Sequence, residues 1–529
     1  MIIKKLKVKN YKILKDITIQ FNEDFNIFVG DNDSGKSTIL EAINIALTGK
    51  LNHVGLERQL NALLFNADIR NEYISNVDKS LLPEIIIELY CDGDSKYKGT
   101  NNTLGENCPG IQVKIEFNET YETAFKDELA KNEIADIPIE FYKVRFMYFN
   151  GSPVVYRDFP INSSFIDTSK SDIQAIQARF ISTKIDEYIP KDSQVMLDSI
   201  YRKYINQFKN DEAVSGFKNT ISGKVVIDNK NVGFGIKDEV VNSWKDQVSI
   251  LLDDCPFTSI GYGSQNIIKL GIALGNVKDS SSCLLVEEPE NNLSYTNMSK
   301  LIEMLTSTES QTFISTHSSF VANKMSLKNI IFVSNGFCKS FNDISKETFE
   351  YFQKLPGFNT LRVVLSKKVI LVEGPTEELL ISKYYLTEFK KMPLACGVDI
   401  ICINGLSFKR FLDISILLNK ETVVITDNDR SIQNNIVEKY NDYQKDYLSF
   451  FYDPDEKLYT LEKSVFSANS KNNKAKTKFK KIIKCDSKND EETIDYMIKN
   501  KTEWALNVFL SDESIIYPEY IINAIKKIS

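Results

Sequence analysis

Apolar residues change their spacing several times along the chain, and the changes mark out its elements. Residues 1–29 alternate: Ile2, Leu6 and Val8, then Ile13, Ile17, Ile19 and Phe21, before the apolar run Phe25-Asn-Ile-Phe-Val29. That pattern predicts paired strands. Gly30 to Thr38 is polar and glycine-framed, and Ile39 to Leu47 returns to apolar positions at helical spacing, ending at Gly49. Strand, loop and helix follow in that order. Between about 50 and 160, Glu84-Ile-Ile-Ile-Glu-Leu-Tyr90, Ile111-Gln-Val-Lys-Ile-Glu-Phe117 and Val144-Arg-Phe-Met-Tyr-Phe149 predict more strands, separated by polar loops. The period lengthens over 172–209: Ile173, Ile176, Phe180 and Ile181 lie before Pro190, and Met196, Ile200, Tyr204 and Phe208 after it. This predicts a two-helix insert, packed on its own domain or on a second subunit. Residues 224–236 read as a hairpin.

Beyond 250 the pattern becomes strand, turn and helix repeatedly. An apolar helix runs from Ile267 to Leu274, and Cys283–Val286 and Gln311–Ile314 are short apolar strands that end in polar residues. After 340 three runs follow: Lys368–Val372 before a helix that Thr376 caps, Val398–Ile403, and Thr422–Ile425. The expected organisation is α/β, in four segments: 1–165, 166–250 (the insert), 251–345 and 346–529.

The chemistry gathers at the strand ends. In Gly30-Asp-Asn-Asp-Ser-Gly35-Lys36-Ser37-Thr38, loop amides and a helix N-terminus suit phosphates, Lys36 reaches the outer ones and Ser37 holds Mg²⁺. Gly30, Asn32, Gly35, Lys36, Ser37 and Thr38 are assigned to ATP on this basis. Gly263 and Ser264, in Gly261-Tyr-Gly-Ser-Gln-Asn266, are placed to present an amide and a hydroxyl to a γ-phosphate, although such residues also make ordinary turns. At Val286-Glu287-Glu288-Pro289-Glu290, Glu287 orders the Mg²⁺ shell and Glu288 polarises the attacking water. His317, in Ser315-Thr-His-Ser318, is a γ-phosphate partner by its order after these glutamates.

A second centre lies later. Glu373 and Glu377 flank one strand end, and Asp427 and Asp429 follow another. Parallel strands bring such ends to one edge, where like charges repel unless a divalent cation sits among them. All-oxygen ligands select Mg²⁺ or Mn²⁺, and a pair of metals roughly 3.5–4 Å apart suits phosphodiester cleavage.

Composition narrows the choice. The chain has 529 residues, a net charge of −7, eight cysteines without a C-x-x-C pair and two histidines. A zinc cluster, a disulfide framework and the HNH and HD types of nuclease are therefore not signalled. DNA contact must come from a local basic patch, and Lys471, Lys474, Lys476, Lys478, Lys480, Lys481 and Lys484 supply one, read as a phosphate contact, with a solvated flexible loop as the alternative. No apolar run spans a bilayer and no signal-peptide pattern opens the chain, so no membrane contact and a cytoplasmic location are expected.

The order of phosphate loop, Gly-x-Gly-Ser-Gln, Glu-Glu-Pro-Glu and Ser-Thr-His-Ser resembles the ATP-binding-cassette ATPases of the RecF and SMC class. Glu-Gly-x-x-Glu followed by Asp-x-Asp resembles the Toprim fold. Together they resemble the OLD (overcoming lysogenisation defect) nucleases, including their Gabija branch. The resemblance implies a RecF-like ATPase head with a helical insert followed by a Toprim domain with a parallel sheet. It also implies that two heads dimerise around ATP, with Gly263 and Ser264 facing the Lys36 site of the other subunit. A tetramer and a helicase-like partner protein rest on the resemblance alone. Thr460-Leu461-Glu462 and Asn500-Lys501-Thr-Glu-Trp504-Ala505 match family segments, which nominates Glu462 as a metal ligand and Lys501 as a catalytic cation. The expected activity is an ATP-regulated, metal-dependent DNA endonuclease acting on double-stranded DNA in anti-phage defence. The alternative is a RecF-like repair ATPase that binds DNA without cutting it.

Overall fold

The alternating residues of the N-terminus pair as strands because each buries one face. β1 (Ile3–Tyr11) and β2 (Leu14–Gln20) run antiparallel with Val8 opposite Ile17, and Leu6 and Val8 are fully buried. β3 (Phe25–Val29) leads through the glycine-framed loop into α1 (Lys36–Thr48). β4 (Ile85–Cys91) pairs with β1, β5 (Cys108–Phe117) with β4, and β6 (Tyr142–Tyr148) with β5, all antiparallel. A second sheet contains β7 (Ser282–Glu287), β8 (Gln311–Thr316), β9 (Ile330–Ser334) and β10 (Phe337–Ser340), in the order β7-β8-β3-β9-β10. The first four of these are parallel, with Glu287 beside Ser315 and Val29 beside both Thr316 and Phe332. Their carboxyl ends therefore finish on one edge.

The computed structural model describes the chain except for residues 53, 94, 132–135, 157–158, 168–180, 182–184, 187, 215, 217–225, 228–229, 232–243, 277–281, 292, 319–320, 322–326, 335, 355–357 and 406. It divides into two compact units, one comprising 1–165, 279–290 and 305–529, the other 166–278 and 291–304. The second unit thus extends past the insert expected at 166–250. It holds α2 (Lys191–Lys209), which begins after Pro190, and α3 (Tyr262–Asn276). Much of the expected helix before Pro190 lies outside the described residues. Of the hairpin expected at 224–236, the described residues show the antiparallel pairing of Val226 with Asn231 and Ile227 with Lys230, and the rest lies outside the described residues.

The C-terminal region of the first unit is a four-stranded parallel sheet. It follows α4 (Lys346–Lys354) and is made of β11 (Lys368–Val372), β12 (Val398–Cys402), β13 (Thr422–Ile425) and β14 (Leu448–Phe451), in the order β12-β11-β13-β14. Three strands were legible as apolar runs. The fourth, Leu-Ser-Phe-Phe, is too short and too polar in its flanks to stand out.

α5 (Pro375–Glu388) and α6 (Phe408–Leu417) follow β11 and β12. The chain ends in α7 (Leu461–Asn469), α8 (Asn473–Ile482), α9 (Asp490–Lys499), α10 (Lys501–Leu510) and α11 (Glu519–Ile528). Their apolar faces close one core with the sheet, in which Trp504 is fully buried and meets Phe479 edge-on at 6.5 Å. Trp504→Ala is expected to destabilise this region by about 3–5 kcal/mol, read as a lower melting transition in scanning calorimetry, and an unshifted transition would contradict the packing.

Candidate functional site

The phosphate loop takes a shape that glycine alone permits at two points. A Cβ on Gly30 would lie 2.0 Å from the Val333 carbonyl oxygen, and Gly35 has φ +108°. α1 starts at once with Lys36, which is buried at 4% exposure. Its Nζ donates to the carbonyl oxygens of Gly30 (3.1 Å) and Asp31 (2.7 Å) and to Ser34 Oγ (3.4 Å). Burial pulls the Lys36 ammonium down to about 8, opposed by the charges of Glu288, Asp31, Glu290 and Asp33. Asn32 is exposed on the loop, and in the first turn of α1 Ser37 is exposed and Thr38 half-buried.

The ends of β7 and β8 bring the next group together. Glu287 is the last residue of β7, and Glu288 turns out of it with φ 44°, its N–H donating to the Ser315 carbonyl oxygen at 2.9 Å. That left-handed turn sets the Glu288 carboxylate 3.3 Å from His317 Nε2. Glu290 acts as a brace. Its Oε1 accepts from Thr316 Oγ1 (2.8 Å), His317 N (2.8 Å) and Ser318 N (3.1 Å), so the backbone after β8 is held by a carboxylate that follows β7. The acid was visible in the Glu-Glu-Pro-Glu run, but its aim at a neighbouring strand end was not. Gly263 and Ser264 lie inside the first turn of α3, which starts five residues before the Ile267 expected from periodicity. Gln265 Nε2 fixes that turn by donating to the carbonyl oxygens of Phe257 (3.1 Å) and Ile260 (2.9 Å).

The second centre is a cavity of about 420 Å³ at the carboxyl edge of the C-terminal sheet, lined by Glu373, Glu377, Asp427, Asp429, Glu462 and Lys501. Glu373 Oε1 accepts from Thr426 Oγ1 (2.8 Å) and Asp427 N (3.1 Å), tying the end of β11 to that of β13. Glu377 is in the first turn of α5, which Gly374 precedes in an extended conformation with Pro375 at the first helical position. Thr376 therefore lies within the helix and does not cap it, because proline's fixed φ starts the turn earlier. Asn428 is buried and donates to the carbonyl oxygens of Asp453 (2.8 Å) and Asp455 (3.1 Å), which holds Asp427 and Asp429 on either side. Glu462 comes from α7, and Lys501 opens α10 with its Nζ 3.9 Å from Glu462 Oε1.

The cavity is short of positive charge. Burial, reinforced by neighbouring carboxylates, raises Glu377 to about 7 and Asp427 to about 8. Glu462 is 1% exposed and its Oε2 has no hydrogen-bond partner. Among the described residues no three His, Cys, Asp or Glu side chains already form a metal-binding group, as expected when carboxylates repel without a cation between them. An orphaned buried carboxylate oxygen beside proton-retaining acids fits a divalent cation held by oxygen.

Residues 1–232 match the family described as AAA ATPase domain, and residues 364–429 match the Overcoming lysogenization defect protein-like TOPRIM domain. The chain joins an AAA-type ATPase domain to an OLD-like Toprim domain. The DNA replication and repair protein RecF of Clostridium kluyveri is 35% identical over 103 residues, 19% of this chain and 26% of RecF. The chain spans between 16% and 59% of the length of the RecF relatives it matches. The SMC head domain from Thermotoga maritima aligns with a TM-score of 0.30 and 16% identity, over 64% of this chain and 97% of that one. The C-terminal region of the Burkholderia pseudomallei OLD protein aligns with a TM-score of 0.26 and 18% identity, over 31% and 96%. The α/β fold is an ATPase domain followed by a parallel-sheet Toprim domain, a pairing that supports a nuclease-type enzyme. Among the described residues no helix is long and apolar enough to cross a membrane.

The alternative of a flexible loop for the lysine run does not hold: Lys474 to Lys481 lie on α8, capped by Asn472, whose side chain accepts from Ala475 N at 2.7 Å. Lys476 and Lys480 pair with Asp490, and Lys478 lies 3.5 Å from Glu513. Phe479 and Ile483 are buried, so an apolar stripe at helical spacing orders the segment and only some of its charge faces solvent.

The raised carboxylates make stability depend on pH. Unfolded, both acids lose their protons near 4; folded, they keep them to about 7 and 8, so the folded state binds more protons between those values. Stability of the cation-free protein is therefore expected to fall as pH rises through this window. Melting in EDTA at pH 5.5 and 8.5 should show the drop, Asp427→Asn should flatten it, and Mg²⁺ or Mn²⁺ should raise the melting point more at pH 8.5.

Proposed function

We propose that the protein is an ATP-regulated, divalent-metal-dependent endonuclease that cuts double-stranded DNA, with phage or other foreign DNA as its target. The observation that carries this reading is the convergence of five carboxylates and Lys501 on one cavity of the Toprim domain. Glu373, Glu377, Asp427, Asp429 and Glu462 would hold Mg²⁺ or Mn²⁺. Bound there, divalent cations neutralise the acids and stabilise charge on the attacking and leaving oxygens of a phosphodiester. Lys501 places an ammonium where charge builds on the cleaved phosphate, and the Glu373 bridge to Thr426 and Asp427 N keeps two strand ends in register.

In the ATPase head, Gly30, Asn32, Gly35, Lys36 and Thr38 would hold the nucleotide phosphates. Ser37 and Glu287 would hold its Mg²⁺, Glu288 would orient water and His317 would meet the γ-phosphate. Gly263 and Ser264 of a second subunit would complete the site, which makes the active form a dimer through its heads; a larger assembly and a helicase-like partner are further expectations. Similarity to RecF over 103 residues favours a second reading, a DNA-binding ATPase that does not cut.

Plasmid cleavage with Mg²⁺ or Mn²⁺ separates the two. Asp427→Ala and Glu373→Ala are each expected to reduce cutting at least a hundredfold without altering ATP binding, and cutting at the wild-type rate in both would remove the cavity from the reaction. Lys36→Ala should abolish nucleotide binding in a fluorescent-ATP titration. Glu288→Gln should bind ATP and hydrolyse it at least tenfold more slowly.

A further inference from the structure

Beside the acidic cavity stands a cluster that the reading above leaves without a role. Arg430 follows Asp429, Lys463 follows Glu462, and Tyr459 stands just before α7. The Arg430 guanidinium carbon lies 4.2 Å from the centre of the Tyr459 ring and the Lys463 ammonium 3.7 Å from it. Arg430 Nη2 also donates to Tyr459 Oη at 2.9 Å. Among the described residues, neither cation forms an ion pair with a carboxylate.

This arrangement is held on purpose-built backbone. Asp429 and Arg430 have φ values of 47° and 68°, two successive left-handed residues that are not glycine. Asn428 Oδ1 accepts from Arg430 N at 3.0 Å, and Asn435 Nδ2 donates to the Asp429 carbonyl oxygen at 3.2 Å, so the turn is fixed from both sides. Next to five carboxylates, long flexible cations would swing inward and fill the place of a divalent ion. The Tyr459 ring keeps them at the rim by cation–π attraction. Two like charges on one ring repel each other, which leaves a demand for an anion outside the cavity. A guanidinium fork and an ammonium suit a phosphate oxygen pair.

We infer that Arg430, Lys463 and Tyr459 form a clamp for a DNA backbone phosphate next to the one that is cut. The inference rests on the endonuclease reading for its substrate. Its physical logic is that a net negative cavity repels DNA, and the clamp supplies local attraction without occupying the metal positions.

The test uses the full chain and a labelled duplex DNA, with binding measured over a salt series in EDTA and cleavage measured with Mg²⁺. Arg430→Ala with Lys463→Ala should weaken binding ten- to a hundredfold and lessen the slope of log affinity against log salt by about one to two. In cleavage, KM should rise by a larger factor than kcat falls. The charge-keeping pair Arg430→Lys with Lys463→Arg should recover most of the affinity, which separates lost contact from misfolding. Wild-type affinity and salt slope in the double alanine variant would overturn the clamp, as would a wild-type protein that binds no duplex. If the wild type binds DNA but cuts none while the alanine variant loses affinity, the clamp stands and the endonuclease reading falls. If Asp427→Ala stops cutting but the clamp variant binds normally, the reverse holds.

Discussion

Charge repulsion at the carboxyl edge of the C-terminal sheet governs how the Toprim domain is built. Parallel pairing of β11 with β12 and β13 delivers strand ends to one side, and Glu373, Asp427 and Asp429 emerge there whether or not anything neutralises them. The fold meets this by raising the proton affinity of Glu377 and Asp427, by drawing Lys501 toward Glu462, and by tying Glu373 through hydrogen bonds to the end of the neighbouring strand. Arg430 and Lys463 are close by but are retained on an aromatic ring. The resulting pocket is polar, shaped and electrostatically incomplete, the condition in which a small hard cation binds most strongly.

The ATPase head obeys a related rule through backbone. β3, β7 and β8 are parallel neighbours, so the phosphate loop, Glu288 and His317 leave one sheet edge together even though hundreds of residues separate them in the chain. Glu290 then binds the peptide after β8, and Glu288 adopts a left-handed turn that directs its carboxylate at His317. The strain at Glu288 is local and is offset by the pairing on either side of it.

Most of this was legible where one residue type had one use. Glycines at 30 and 35 marked the loop because no Cβ fits there, and acids at apolar strand ends marked both edges because such strands otherwise end in turn residues. Less legible were features whose meaning depends on a distant partner. Glu290 and Asn428 look like ordinary turn residues until the strands they brace are side by side. The helix under the lysine-rich segment was not legible because its charges mask Phe479 and Ile483, and Asp490, which pairs with two of the lysines, belongs to a different helix. β14 is invisible as a pattern because four residues do not establish a period.

Lys36 gives the head a self-contained resting form. Its buried ammonium already has carbonyl and hydroxyl oxygens within the loop, so the empty site does not carry the large penalty of an unpartnered charge. Filling the site exchanges one set of hydrogen bonds for another, and the affinity is the difference between them. The loop therefore keeps its shape through its own hydrogen bonds.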